Sequence, residues 1–414
     1  MSKFGKENPK KRRIALITVP HENTADKTRL ECEERPQCRK SRLQQAIENV
    51  EKKERRRNDA VYASVPRFEL SKEKVNSEAI TFFRENGFVV FKNVLNQTEI
   101  KSAKDLMWEY LESLGTGIER NRPETYSNDR WPPEIEGGIL PWLGIGQSKM
   151  QWYIRSIYRV RLAFATLWNC SVSTLLSSFD GICVFRNKVA PIELPFHVDQ
   201  NPEVSKKLEC IQAFVNLIPT GRLTGGNTLI PKSHLEYFEK TLGTYPEKIK
   251  ALQGENHFEY PLNDSFIVQA KKECRCVISE LNAGDMLLWD SRTIHRNSSW
   301  NDIRTGIVPD NLSKASQVNV IQHSNIRELN PSDDIGISRI VSYVCMVPRT
   351  RVSSENIEKR RKAVTENVTT SHWPTHVVDT RYYGTYDPTV AKKYSVPSPP
   401  RLEEMSLIQR QLVG

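Results

Sequence analysis

The 414-residue sequence contains no run of eighteen consecutive apolar residues, so no segment reads as a membrane-crossing helix. Its first thirty residues lack the apolar core of a secretory signal, and an intracellular, cytoplasmic protein is expected. The eight cysteines, at positions 32, 38, 170, 183, 210, 274, 276 and 345, show neither paired CxxC spacing nor the density of a disulfide scaffold. That excludes a thiolate zinc site and a stapled secreted domain, and reduced core thiols are expected. No internal repeat is present.

Apolar residues make up 38% of the chain and the mean hydropathy is −0.55, values too low for a chain packed throughout. The deficit falls at the N-terminus. Residues 1–70 hold 18 Lys and Arg against 11 Asp and Glu and so supply most of the net charge of +10. A basic tail rather than a basic body argues against nucleic acid as a partner. Lys10-Lys11-Arg12-Arg13 is a candidate nuclear import signal, and Leu43, Ala46, Ile47 and Val50 stand at helical spacing inside residues 39–57. Residues 1–70 are therefore expected as a mostly disordered tail with one transient helix. Residues 71–380 are expected to form one catalytic domain, and 381–414 a C-terminal tail.

Order is expected to begin with a helix capped at Ser77 and stopped at Gly87, followed by the buried strand Phe88-Val89-Val90-Phe91. From Asn96 a longer helix sets Ile100, Ala103, Met107, Leu111 and Leu114 on one face. Residues 151–168 read as another amphipathic helix, with Tyr153, Ile157, Val160, Phe164 and Leu167 at helical spacing. Between these helices the loop 116–148, rich in Gly, Pro, Trp and Asn, is expected to pack near a pocket. After Gly181 short β-like runs at 182–186, 210–218, 228–230, 265–268, 276–281, 286–289 and 339–347 alternate with turn signals. The implied class is mainly β with a helical buttress (71–180) against a sandwich or jelly roll (181–350).

Chemistry concentrates in two places. In His197-Val198-Asp199 the His and the Asp are two apart, so on an extended segment both side chains leave one face and can share a cation. Alone, HxD is a weak signal. A third ligand comes from the run Gly284 to His295, a turn and a buried strand with a His at its far end. Two imidazoles and one carboxylate from separate strands form the facial triad of non-haem Fe(II) oxygenases, which leaves three coordination positions open for 2-oxoglutarate and dioxygen. The distal carboxylate of 2-oxoglutarate then needs a cation, best a guanidinium, whose planar fork binds carboxylate bidentately. Arg339 opens an apolar strand after the distal His and fits that role.

Taken together, FFRENGFVVFKNVL, the HVD triplet, IQAFVNLIPTGRLTGGNTLIPKSH, GDMLLWDSRTIH and RIVSYVCMVPR resemble, in order and spacing, the phytanoyl-CoA dioxygenase-like family of 2-oxoglutarate oxygenases. The resemblance spans about residues 78–374. It implies a double-stranded β-helix, a cupin-like jelly-roll barrel with iron at its open end. It also implies His197, Asp199 and His295 as Fe(II) ligands and Arg339 as the 2-oxoglutarate anchor. By the same resemblance Gln212 falls at a pocket-wall position and Asn297 at a small polar position that contacts the co-substrate. The implied reaction oxidises a small organic substrate with dioxygen and releases succinate and carbon dioxide.

The sequence departs from the family pattern in the spacing of the anchor. Arg339 lies 44 residues after His295 instead of about ten, whereas Arg304 lies nine after it and is the rival anchor. Arg339 is preferred because it begins an apolar run, and residues 305–336 then become an insertion over the barrel mouth. Other histidines receive plainer readings: His234 as a turn residue, His257 and His323 as exposed loop residues, and His372 as part of a docking segment. The alternative from another class is a non-catalytic scaffold whose basic tail contacts nucleic acid or a nuclear partner. A metal-dependent isomerase or hydrolase on a similar barrel is a second rival.

Overall fold

A computed structural model describes residues 61–63, 65–71, 76–135, 138–187, 194–220, 224–273, 275–298, 334–382 and 386–414. The nuclear-import motif, the helix expected within 39–57, Arg304, His323 and nearly all of the expected insertion lie outside the described residues.

Two sheets carry the architecture. The larger has the strand order β2-β3-β12-β8-β14-β6-β4, with β2 Arg67–Phe68, β3 Phe88–Phe91, β4 Ile139–Leu140, β6 Ile182–Arg186, β8 Ile211–Asn216, β12 Met286–Asp290 and β14 Ile337–Tyr343. The smaller has the order β1-β11-β9-β13-β7-β10, with β1 Val61–Ala63, β7 His197–Val198, β9 Gly226–Leu229, β10 Phe258–Glu259, β11 Val277–Ser279 and β13 His295–Ser298. From β6 to β9, and again from β11 to β14, successive strands alternate between the sheets, which gives a jelly-roll-like sandwich of mostly antiparallel pairs. Two further strands, β5 Leu175–Ser177 and β15 Met346–Pro348, pair apart from both.

Period-two alternation sorts each strand of the larger sheet between its faces. Ile211, Ala213 and Val215 of β8, Met286 and Leu288 of β12, and Ile340 of β14 join a core built with the helices. Phe214, Leu287, Trp289, Cys183, Phe185 and Val341 instead meet Leu229 of the smaller sheet inside the sandwich. Strand β3 is buried on both sides for the same reason: Val89 and Phe91 face the helices, Phe88 and Val90 the interior.

The buttress begins with helix α1, Ser77–Asn86, which ends as expected at Gly87 (φ 80°), a left-handed position that suits glycine. Helix α2, Gln97–Ser113, opens with a capping box in which Glu99 N–H donates to Asn96 Oδ1 (2.9 Å) and Asn96 N–H to Glu99 Oε2 (2.7 Å). The single helix expected over 151–168 is in fact two, α3 Lys149–Ser156 and α4 Tyr158–Trp168, because Ile157 adopts extended angles (φ −63°, ψ 129°). The strand expected at 265–268 is likewise corrected to a helix, Ser265–Lys272. Asp264 caps it by accepting from Ile267 N–H at 2.9 Å, and Ile267 and Ala270 are buried three apart. No helix among the described residues is long and apolar enough to cross a membrane.

Both chain ends reach further into the body than the sequence suggested. Strand β1 pairs in parallel with β11, and β2 with β3, so residues 61–63 and 67–68 of the expected tail belong to the sheets. Arg67 Nη2 pairs with the fully buried carboxylate of Asp285 at 2.8 Å, which also accepts from Asn93 N–H and Asn282 N–H. At the other end, helix Leu407–Val413 is held by the fully buried Arg360, whose guanidinium donates to the carbonyls of Val413 (2.8 Å), Leu412 (2.9 Å), Pro374 (2.9 Å) and Ser177. These residues are therefore no free tail: a buried guanidinium needs acceptors, and the C-terminal helix supplies two of them.

A truncation test follows from Arg67. A chain beginning at Asp59 is expected to match the full chain in stability, whereas one beginning at Leu70 leaves the buried Asp285 carboxylate without its guanidinium. Loss of the Arg67 donor should cost about 1–3 kcal/mol, read from urea-unfolding midpoints of Arg67→Ala and of the shorter chain. Equal midpoints would show that the pairing carries no weight.

Candidate metal and co-substrate site

Strand pairing brings the two candidate imidazoles together. His295 of β13 is the antiparallel partner of His197 of β7, and side chains directly opposite each other project from one face with Cβ atoms about 5 Å apart. Their ring centroids lie 4.4 Å apart. Asp199, two residues past His197, emerges on the same side, as the HxD spacing requires. Oδ2 of Asp199 lies 3.2 Å from His295 Nε2 and 3.9 Å from His197 Nε2, and all three residues are buried.

The orientation of the rings decides what can sit between them. His197 Nδ1–H donates to Pro195 O and His295 Nδ1–H to Thr293 O, each at 2.9 Å. Nε2 is therefore the ring atom each imidazole turns toward the carboxylate, and it offers a lone pair whenever the ring is neutral. Three lone-pair donors converging in a buried space repel one another unless a cation stands among them, and one atom from each residue lies within 4.8 Å of the others. Burial pushes the His197 imidazole down to about 3, with His295 adding to the effect, so this ring is neutral at ordinary pH and free to act as a ligand. Burial alone would raise the Asp199 carboxyl, but His372, His257, His295 and His197 around it hold it well below the usual carboxylate range.

A guanidinium enters the same interior from the larger sheet. Arg339 of β14 stands opposite Phe185 of β6 and is 1% exposed. Its Cζ lies 5.0 Å from the ring centre of Phe185 and 5.2 Å from that of Phe214. Nη1 donates to Asn297 Oδ1 at 3.4 Å, while Nε and Nη2 have no hydrogen-bond partner among the described residues. Asn297 is two residues beyond His295 on β13, so one strand face leads from the imidazole to the guanidinium. A buried cation without a carboxylate is costly, and its open donors mark the place of an anionic ligand.

Gln212 lies against the triad. Its Nε2 donates to Asp199 Oδ2 at 2.8 Å, while its Oε1 is buried without a partner among the described residues. Three further residues stand at the site: His257 and Trp289 escaped sequence reasoning, while the sequence reads His372 first as a docking residue and only then as a pocket residue. His257, expected to be an exposed loop residue, donates through Nδ1 to Asp199 Oδ1 at 3.0 Å and meets Glu259 through Nε2 at 3.3 Å. Burial lowers its pKa, but the two carboxylates outweigh this and raise it to about 9. His372 docks through its main chain, its carbonyl accepting from Cys210 Sγ at 3.7 Å. Its ring nevertheless faces the Asp199 cluster, with a pKa lowered by burial and Nε2 without a partner among the described residues. Trp289, aligned with Gln212 across β12 and β8, has a buried Nε1–H that is also unpartnered among the described residues. Only His372, in the singled-out stretch TTSHWP, gave any signal in the sequence.

No protein-family model matches the chain. It is 24% identical over 302 residues, 70% of its length and 84% of the relative's, to Ava biosynthesis cluster protein O of Aspergillus versicolor. Among solved structures it is similar to a putative oxidoreductase from Salmonella typhimurium LT2, with a TM-score of 0.51, 11% identity and 91% of each chain covered. That likeness shows a shared fold. It is also similar to the non-haem alpha-ketoglutarate-dependent carbocyclase SnoK of nogalamycin biosynthesis, at a TM-score of 0.40 and 16% identity over 67% of this chain and 86% of the other.

Proposed function

We propose that this chain is an Fe(II)- and 2-oxoglutarate-dependent oxygenase on a double-stranded β-helix, acting on a small organic substrate with dioxygen. The observation that carries the reading is a triad of converging metal-ligand atoms joined, through Asn297 on the strand of His295, to a buried guanidinium whose Nε and Nη2 have no partner among the described residues. A five-carbon acid with a chelating 2-oxo-acid end and a distal carboxylate satisfies both at once. The strand orders β6-β14-β8-β12 and β7-β13-β9-β11 support the barrel reading.

In this reading His197 Nε2, His295 Nε2 and Asp199 Oδ2 hold the metal, and the carbonyls of Pro195 and Thr293 fix the ring tautomers. Arg339 neutralises and orients the distal carboxylate, steadied by Asn297, while Phe185 and Phe214 keep water from the guanidinium. Bound iron with 2-oxoglutarate supplies the redox chemistry, coupling decarboxylation to succinate with oxidation of the substrate. Gln212 and His257 hold the Asp199 carboxylate in place. A non-catalytic scaffold gives no account of a buried Arg with open donors.

The test is anaerobic titration of the purified protein with Fe(II) and 2-oxoglutarate. A weak visible charge-transfer band is expected only when both are present. Absence of that band, with no retention of either component, would sink the reading.

A further inference from the structure

We propose that His257 is a positioning residue of the metal centre: its Nδ1–H occupies Oδ1 of Asp199, so that Oδ2 alone is presented to the two imidazoles. The proposal rests on the metal reading above. His257 immediately precedes β10, which pairs with β7 through Glu259 and His197, so the ring is delivered alongside the strand that carries HxD. The imidazole lies 3.0 Å from Asp199 Oδ1 through Nδ1 and 3.3 Å from Glu259 Oε1 through Nε2, with its ring centre 4.8 Å from that of His197. Glu259 thereby fixes the ring that grips Asp199.

The two oxygens of Asp199 are thus held from different sheets. Gln212 of the larger sheet donates to Oδ2 at 2.8 Å, the oxygen that already faces both imidazoles, so it cannot tell the carboxylate which oxygen to present. His257, beside the smaller sheet, does so by taking the other one. A carboxylate with one oxygen occupied binds a metal through a single atom, which keeps the remaining coordination positions open for a chelating co-substrate. Nothing in the HxD motif specifies this. The side chain of His257 is half exposed (50%), so replacing it leaves no core cavity, and a stability role and a positioning role separate cleanly.

Mn(II) binding to the full chain, titrated directly without 2-oxoglutarate, tests the assignment, with thermal melting of the metal-free protein alongside. His257→Leu is expected to weaken Mn(II) binding about 10- to 100-fold with little change in metal-free melting. His257→Asn, with the same branched heavy-atom skeleton as Leu but with an amide N–H near the place of Nδ1, should recover affinity to within about threefold of wild type. The Asn and Leu pair isolates the hydrogen bond from lost packing, even if both variants melt earlier. Affinity of His257→Leu equal to wild type, or of His257→Asn as weak as His257→Leu, overturns the positioning role. Wild-type protein that binds no Mn(II) overturns instead the metal reading beneath it.

Discussion

Asp199→Ala is expected to abolish 2-oxoglutarate turnover, with succinate formation falling by more than about a hundredfold, beyond the 10- to 100-fold typical of outer-shell residues. The site gives the reason for so large an effect. Among the described residues Asp199 brings the only carboxylate oxygen within reach of both Nε2 atoms, and without its charge only two imidazoles remain to hold a dication. His197→Ala and His295→Ala should behave alike, because each removes one of the three converging ligand atoms. Gln212→Leu leaves the three ligand atoms intact and should lose less. Near-normal succinate production by Asp199→Ala would remove the metal assignment altogether.

Arg339→Ala should raise the 2-oxoglutarate requirement by at least about tenfold, since a charge-assisted bidentate pair contributes roughly 1.5–3 kcal/mol. Its guanidinium has no carboxylate among the described residues to compete for it, is fixed between two Phe rings, and keeps Nε and Nη2 open. Metal affinity measured without 2-oxoglutarate should stay unchanged, because no metal-ligand atom depends on Arg339. Arg304→Ala should leave the requirement within a few fold. The opposite pattern, with Arg304 sensitive and Arg339 silent, would transfer the anchor to the segment nine residues after His295 and undo the assignment of β14. Equilibrium 2-oxoglutarate binding to both variants in the presence of Mn(II) separates the two outcomes without turnover.

Much of this site was legible in the sequence because its rules are local. A period of two puts His197 with Asp199, His295 with Asn297 and Arg339 with Val341 on shared faces, and caps such as Asn96 with Glu99 announce their helix within four residues. Apolar strands after turn signals located β6, β8, β12 and β14 to within a few residues. Local rules also misled where two of them competed. The run Ser265 to Val268 has strand-forming residues, but Asp264 caps it and burial at Ile267 and Ala270 makes it helical.

What the sequence by itself determined, then, is which side chains share a strand face and where the β-rich half begins. Only the tertiary structure decided what meets across the sheets: His197 with His295, 98 positions apart; His257 with Asp199, 58 apart; Arg67 with Asp285, 218 apart; and Arg360 with the C-terminal helix. The physical reason is that side-chain direction follows from φ and ψ over two or three residues. Contact between distant residues depends instead on strand order and register, which are set by burying all the apolar faces at once. His257 and Arg67 carry no pattern of their own, since each becomes significant only when a folded partner leaves a carboxylate oxygen to be satisfied.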